Sequence, residues 1–178
     1  DKILQFKQNT LYVINVSRQI EVLESTHKHK GVSNPAAICK TDYGIAWANQ
    51  HGCYLYDGRK VVDLLEKGGI QRINELTWST FIGAPMVGYF PLKRQIIVVD
   101  DIAAAKDGVC YIYDMVTASW TNATSATFAD AVKSNFITDW NGDLVHATSI
   151  TPKKWSDTSA VSSVVDFQTK DIDFGHPS

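Results

Sequence analysis

A repeated strand pattern constrains the fold more than any other feature of the sequence. Gly52-Cys53-Tyr54-Leu55-Tyr56-Asp57 and Val109-Cys110-Tyr111-Ile112-Tyr113-Asp114 both read Cys-Tyr-aliphatic-Tyr-Asp. Each copy follows a glycine-containing turn and is preceded by another strand-like stretch, so each is part of a hairpin. A unit that recurs along a chain is typical of repeat folds. The sequence therefore predicts consecutive antiparallel sheets, with Tyr54–Tyr56 and Tyr111–Tyr113 in equivalent strands of different sheets.

The second copy continues into a turn and an outer strand that ends at Trp120. There Asp114 can cap the turn while Trp120 packs back onto the sheet, a combination frequent in β-propeller blades. Further candidate units lie at Thr10–Val16 and Thr138–His146, and blades recur about every 40 to 50 residues. We therefore predict one all-β domain over residues 1–178, a β-propeller-like array of about four blade-like units with one short helix. The alternative is a two-sheet β-sandwich, which shares the hairpin signals.

Period-two and short continuous apolar runs bounded by Gly, Asn and Asp predict the individual strands. Three-to-four spacing of apolar residues predicts a short helix over Ile70–Phe81. The predicted strands are Ile3–Phe6, Leu11–Val16, Glu21–Ser25, Ala36–Thr41, Gly44–Ala48, Gly52–Tyr56, Lys60–Asp63, Met86–Phe90, Gln95–Val99, Gly108–Tyr113, Ser119–Asn122, Asn135–Asp139, Asp143–Thr148 and Val161–Phe167.

Composition excludes two classes of partner. Seventeen Lys and Arg against nineteen Asp and Glu give a net charge of -2, and the densest basic cluster is only His27–Lys30. Neither feature provides the positive field that nucleic-acid binding needs. The apolar runs stop far short of the roughly 20 residues of a membrane-spanning helix. We therefore expect no nucleic-acid partner and no membrane span.

The three cysteines, Cys39, Cys53 and Cys110, match neither metal-binding knuckles nor a disulfide-dense module. Each lies in an apolar alternating stretch, which predicts buried, reduced thiols; one disulfide is the alternative. Reduced thiols favour folding in a reducing cytoplasm.

Two segments resemble large phage tail and virion structural proteins. Gly44–Gly58, GIAWANQHGCYLYDG, resembles a strand pair of that group, and Asp166–Ser178, DFQTKDIDFGHPS, resembles a segment that is normally followed by further β structure there. The resemblance implies a propeller-like virion component that functions in assembly and attachment, and that this chain is a fragment of a longer protein.

Candidate chemistry is sparse. Asp139, Asn141 and Asp143 have a spacing that can bring oxygens around Ca²⁺, but such a site needs about six to eight oxygens, so a hydrogen-bonded hairpin is favoured. His27 and His29 would share one face of a strand, yet a metal site needs further ligands. No nucleophile motif or phosphate-binding loop occurs in the sequence. We expect no cofactor and no enzymatic activity.

Aromatic residues give the remaining indication of a binding surface. Trp140 in a turn and Trp155 in a loop are the candidates for exposure, whereas the strand tryptophans and tyrosines belong to the core. The leading hypothesis is a non-enzymatic phage virion component, in the tail or head–tail connection, made in the host cytoplasm. Its partners would be other virion proteins or further copies of itself, and an apolar patch is expected around Ile3–Phe6 and Ile172–Phe174. The alternatives are a carbohydrate- or receptor-binding module that binds a host surface glycan, and a propeller-fold glycan hydrolase.

Overall fold

The computed structural model describes residues 1–17, 19–99, 110–123, 136–148 and 151–155. These residues form sixteen strands, one α-helix and a 3-10 helix at Pro35–Ala37. The elements are β1 (Lys2–Phe6), β2 (Thr10–Asn15), β3 (Val22–Lys28), β4 (Ile38–Thr41), β5 (Gly44–Asn49), β6 (Gly52–Tyr56), β7 (Val61–Asp63), β8 (Glu66–Lys67), β9 (Ile70–Gln71), α1 (Glu75–Phe81), β10 (Met86–Phe90), β11 (Gln95–Val99), β12 (Cys110–Asp114), β13 (Ser119–Ala123), β14 (Ile137–Thr138), β15 (Leu144–Thr148) and β16 (Thr151–Lys154).

The strands pair in chain order into separate antiparallel sheets. Sheet A is β1–β2–β3, sheet B is β4–β5–β6–β7, sheet C is β10–β11–β12–β13 and sheet D is β14–β15–β16, while β8 and β9 form a two-stranded hairpin. None of these sheets closes on itself within the described part of the chain. The prediction of a mainly β chain with consecutive antiparallel sheets is therefore confirmed.

The repeated pattern occupies the same position in two sheets. The first copy forms β6, the third strand of sheet B, and the second forms β12, the third strand of sheet C. Each is hydrogen-bonded to the strand before it and to the strand after it. The predicted equivalence of Tyr54–Tyr56 and Tyr111–Tyr113 is confirmed.

An Asp or Asn side chain closes the turn after each equivalent strand. The Asp57 carboxylate accepts hydrogen bonds from the N–H groups of the second and third residues after it, at 2.8 and 2.9 Å. Asp114 does the same, with both bonds at 2.9 Å. At the end of β2, Asn15 Oδ1 accepts from the N–H of Ser17 at 3.0 Å. These side chains satisfy turn donors that no strand can pair, so β2 is the counterpart of β6 and β12 in sheet A.

The core consists of three interfaces between neighbouring sheets. Successive side chains of a strand point to opposite faces, so β5 and β6 contribute one alternate set to the A–B interface and the other to the B–C interface. Sheet C is likewise buried on both faces, between sheets B and D. Trp47, Tyr54 and Tyr56 lie in the A–B cluster, Ala46, Ala48, Leu55, Ile96 and Val98 in the B–C cluster, and Ile97, Val99, Cys110 and Leu144 in the C–D cluster.

Three buried or half-buried indoles connect separate elements through hydrogen bonds. Each indole N–H donates to a backbone carbonyl outside its own strand or helix, which satisfies the polar atom of an otherwise apolar side chain. Trp47 donates to Lys30 at 2.9 Å, Trp78 to Asn49 at 2.9 Å and Trp120 to Leu64 at 2.8 Å.

The helix is shorter than the predicted span of Ile70–Phe81. Gly68 and Gly69 have φ values of 62° and 77°, which turn the chain between β8 and β9, so residues 70–71 pair as a strand. α1 begins only after Asn74, whose Oδ1 accepts from the N–H of Leu76 at 2.8 Å. Its Trp78 side chain is buried between sheets B and C. The predicted strand Val161–Phe167 lies outside the described residues.

Candidate functional site

The Asp139–Asp143 segment is a hydrogen-bonded turn between β14 and β15. Asp139 Oδ1 accepts from the N–H groups of Asn141 and Asp143, both at 2.9 Å, and Asp143 Oδ2 pairs with Lys154 Nζ at 2.5 Å. These oxygens bind partners within sheet D rather than pointing to one centre. Across the described ranges, no group of three or more His, Cys, Asp or Glu side chains is placed to hold a metal ion.

Trp140 and Trp155 have different environments. Trp140, at the tip of that turn, is 94% exposed. The neighbouring turn between β10 and β11 presents Leu92, also exposed, and a Cβ on Gly142 would lie 3.4 Å from the Leu92 side chain. Trp155, expected at the surface, is instead half-buried, because its ring packs 5.9 Å from Phe136 at the C–D interface. The exposed apolar surface of this region therefore comes from Trp140 and Leu92, together with Ile137 of β14.

Sheet A has one covered face and one open face. Leu11 and Val13 point toward sheet B and are fully buried. Strand alternation and register place Ile3, Tyr12, Ile14 and Leu23 together on the opposite side, called here the outer face of sheet A. Ile3 is 51% and Leu23 56% exposed. The expected apolar patch near Ile3–Phe6 is therefore present at Ile3, whereas Leu4 and Phe6 pack inward; Ile172–Phe174 lies outside the described residues.

A cavity of about 420 Å³ lies between the first strands of sheets B, C and D. Tyr89 donates its hydroxyl proton to Asp42 Oδ2 at 2.9 Å, and Thr138 donates to the Tyr89 carbonyl at 3.1 Å. Burial, with the Asp42 carboxylate beside it, raises the pKa of Tyr89, so the phenol stays neutral and acts as a donor. Asp42, Tyr89 and Thr138 in this cavity are therefore already hydrogen-bonded to one another.

The cysteines are placed as structural residues. Cys39 and Cys53 form no disulfide. Burial raises the pKa of the Cys39 thiol to about 12 and that of Cys53 well above its usual value. Cys110 is fully buried at the C–D interface. A thiol kept protonated is a poor nucleophile and metal ligand, so Cys39 and Cys53 are suited to packing rather than chemistry.

A polar cleft at one end of sheets A and B brings together two histidines that are distant in sequence. His29 follows β3 and His51 lies in the turn between β5 and β6, and their ring centroids are 5.1 Å apart. The cleft is also lined by Gln8, Asn9 and Gln50. His27, which the sequence paired with His29, remains within β3, and its Nε2 lies 3.1 Å from Ser25 Oγ. No sequence pattern indicated the His29–His51 pair, because two turns of different sheets create it.

No protein-family model, curated protein or solved structure matches the chain. Among the described residues, no helix has the length and apolar character that crossing a membrane requires.

Proposed function

We propose that this protein is a non-enzymatic structural component of a phage virion, in the tail or at the head–tail connection, and that it acts through protein–protein contacts. The observation that carries the proposal is the outer face of sheet A, where Ile3 and Leu23 are more than half exposed beside Ile14. An apolar sheet face rarely stays in water in a finished assembly. The resemblance of Gly44–Gly58 to a virion strand pair supports the same class.

The sheet arrangement supports a propeller-like module. Sheets A, B, C and D pack face to face in chain order, and the first strands of sheets B, C and D line one cavity. Blades around a common axis have this arrangement. In that architecture each sheet is covered by a neighbour on both faces, so the outer face of sheet A is where a further sheet belongs.

The partner of this face is a second copy of the chain. Ile3, Ile14 and Leu23 are cross-strand neighbours on this face, bordered by Tyr12 and by the polar Gln5 and Thr26, so the face offers an apolar centre with a polar edge for sheet packing. Two copies of one such face can meet across a twofold axis, since an isologous contact requires only self-complementarity.

Light scattering coupled to size-exclusion chromatography tests this function. We expect the chain to dimerise at concentrations of roughly 100 μM and Leu23→Glu to be monomeric, because a charge would be buried in the contact. Val116→Glu is the matched control, since Val116 is similarly exposed, at 65%, but lies in the β12–β13 turn. A monomeric wild-type chain, or an equal effect of both substitutions, would contradict the proposal.

Trp140 favours a second candidate, a carbohydrate- or receptor-binding module. A 94% exposed indole held on a hydrogen-bonded turn can stack on a sugar ring without a large ordering cost. A glycan array probed with the wild-type chain and with Trp140→Ala separates this candidate from the first. Binding that is lost in Trp140→Ala would support this candidate. If no glycan is bound, assembly remains as the proposed function.

A further inference from the structure

The His29–His51 pair lies at a junction between two sheets. His29 directly follows β3 of sheet A, and His51 lies in the turn of the β5–β6 hairpin of sheet B. Their ring planes are inclined to each other at 65°. Both residues are exposed at the cleft, so an ion from solvent can reach either imidazole.

One side chain fixes the backbone of both histidines. Asn49 Nδ2 donates to the carbonyl oxygens of His29 and Gly31, at 2.9 and 2.8 Å, and its Oδ1 accepts from the N–H of His51 at 2.8 Å. The carbonyl of Asn49 accepts in turn from the indole of buried Trp78. The backbones that carry the two imidazoles are therefore held together rather than placed on two independent loops, which contributes to the preorganisation that a ligand site needs.

His29 also holds an unusual backbone conformation. Its φ is 62°, in the left-handed region that residues with a Cβ seldom adopt, and its N–H donates to the Asn9 carbonyl at 2.6 Å. Conformations of this kind persist where the surrounding structure imposes them, often at binding sites. Here the conformation ends β3 and brings the His29 ring into the cleft beside His51.

We propose that His29 and His51 together bind a divalent transition-metal ion of the kind that imidazole prefers, Zn²⁺, Ni²⁺ or Cu²⁺. When Zn²⁺ binds two imidazoles at about 2.0–2.1 Å with a tetrahedral angle, their ring centroids lie roughly 5 Å apart. The observed separation is 5.1 Å. The two imidazoles would be the protein ligands of this ion, and water from the open cleft would fill its remaining positions. Because the ligands belong to different sheets, the ion would crosslink the ends of sheets A and B.

Calorimetric titration of the untagged chain with ZnCl₂ tests the site. We expect one ion per chain and at least about a tenfold weaker association in both His29→Asn and His51→Asn, since each removes one of two imidazoles. Asn tolerates the left-handed conformation at position 29. His27→Asn is the matched control, because its ring lies beside Ser25 in β3, and it should bind as the wild type does.

Electron paramagnetic resonance of the Cu²⁺-loaded chain supplies a second readout. The wild-type spectrum should show coupling to two imidazole nitrogens, and each single variant should show coupling to one. Absence of Zn²⁺ binding up to about 1 mM, or equal weakening in His27→Asn and His51→Asn, would overturn the proposal.

Discussion

Sheets A and C are both antiparallel and both pair their strands in chain order, but they have different surroundings. In sheet C, the adjacent residues Ile96 and Ile97 point to opposite faces and both are 0% exposed, because sheets B and D cover the two faces. In sheet A, Leu11 is 0% exposed, but its neighbour Tyr12 on the other face is only half-buried, and Ile3 beside it is 51% exposed. The comparison shows that the sheets pack face to face in the order A, B, C and D. Sheet A is at one end of this series, so its outer face leaves apolar side chains exposed.

The largest expected effects come from truncation in the doubly covered sheet. Ile96→Ala and Ile97→Ala should each lower the free energy of unfolding by about 2–5 kcal/mol, because each leaves a cavity in a different packed interface. Urea denaturation measures this as a lower midpoint at an unchanged slope.

Ile3→Ala on the outer face of sheet A is the matched control for those two truncations. It should cost less than about 1 kcal/mol, since the side chain is already half in water. A mild result for either Ile96→Ala or Ile97→Ala would show that one face of sheet C is not packed as described.

An intermediate effect is expected where one indole joins sheet C to the segment after sheet B. Trp120→Phe keeps the apolar ring but removes the N–H that donates to the Leu64 carbonyl at 2.8 Å. Leaving a buried carbonyl without its donor should cost about 1–3 kcal/mol.

Trp140→Phe serves as the control for Trp120→Phe, because the indole of Trp140 is 94% exposed. The control should change the thermal midpoint little, by an amount corresponding to about 0.5 kcal/mol or less. Equal effects of the two substitutions would argue against the Trp120 contact.

A smaller loss of stability is expected from substitutions in the turns that follow the equivalent strands β6 and β12. Asp57→Ala and Asp114→Ala each remove two hydrogen bonds to turn N–H groups, in sheets B and C respectively. These turns are exposed, so each substitution should cost about 1 kcal/mol, and Asp→Asn should recover most of the loss because the acceptor oxygen remains. If only one of the two turns responded, the equivalence of β6 and β12 would not extend to their turns.

The smallest expected effect is a dependence on pH. Hydrogen bonds from the N–H groups of Lys60 and Thr117 hold the pKa of Asp57 and Asp114, respectively, below their usual value. A lowered folded-state pKa stabilises the fold above the unfolded-state value of about 3.9, and this stabilisation is lost as the pH falls through the lower folded-state value. The variant that carries both Asp57→Asn and Asp114→Asn should therefore show a smaller fall in melting temperature as the pH is lowered below about 4.

Sheet A provides the control for this titration, because its equivalent position is the uncharged Asn15. The turn of sheet A therefore adds no carboxylate titration at this position. An unchanged acid profile in the variant that carries both Asp57→Asn and Asp114→Asn would mean that these carboxylates are not coupled to folding.

Most strands could be predicted because alternation and continuous apolar runs report burial directly. Gln95–Val99 was identified with its observed bounds, and all but its first residue are buried, as a strand covered on both faces requires. The helix was predicted too long because the apolar spacing continued through Ile70, while Gly68 and Gly69 favoured a hairpin locally. The conformation of residues 70–71 is therefore determined by the glycine turn before them and not by the apolar periodicity.

The candidate surfaces could be predicted only in part. Trp140 lies at a turn, so its exposure follows from local sequence, whereas the half-burial of Trp155 depends on packing against Phe136 across the C–D interface. The His29–His51 pair depends on which turns of sheets A and B meet, and on Asn49 joining them. Such contacts between distant residues have no periodic signal in the sequence.

Hydroxyl-radical footprinting of the wild-type chain, read by mass spectrometry at low and high protein concentration, tests most directly whether the outer face of sheet A is an assembly surface. Ile3 and Leu23 should lose reactivity as the concentration rises, while Ile20 and Val116, which are at least as exposed, should keep theirs. Unchanged reactivity of Ile3 and Leu23 at every concentration, or protection at Val116 instead, would contradict the account.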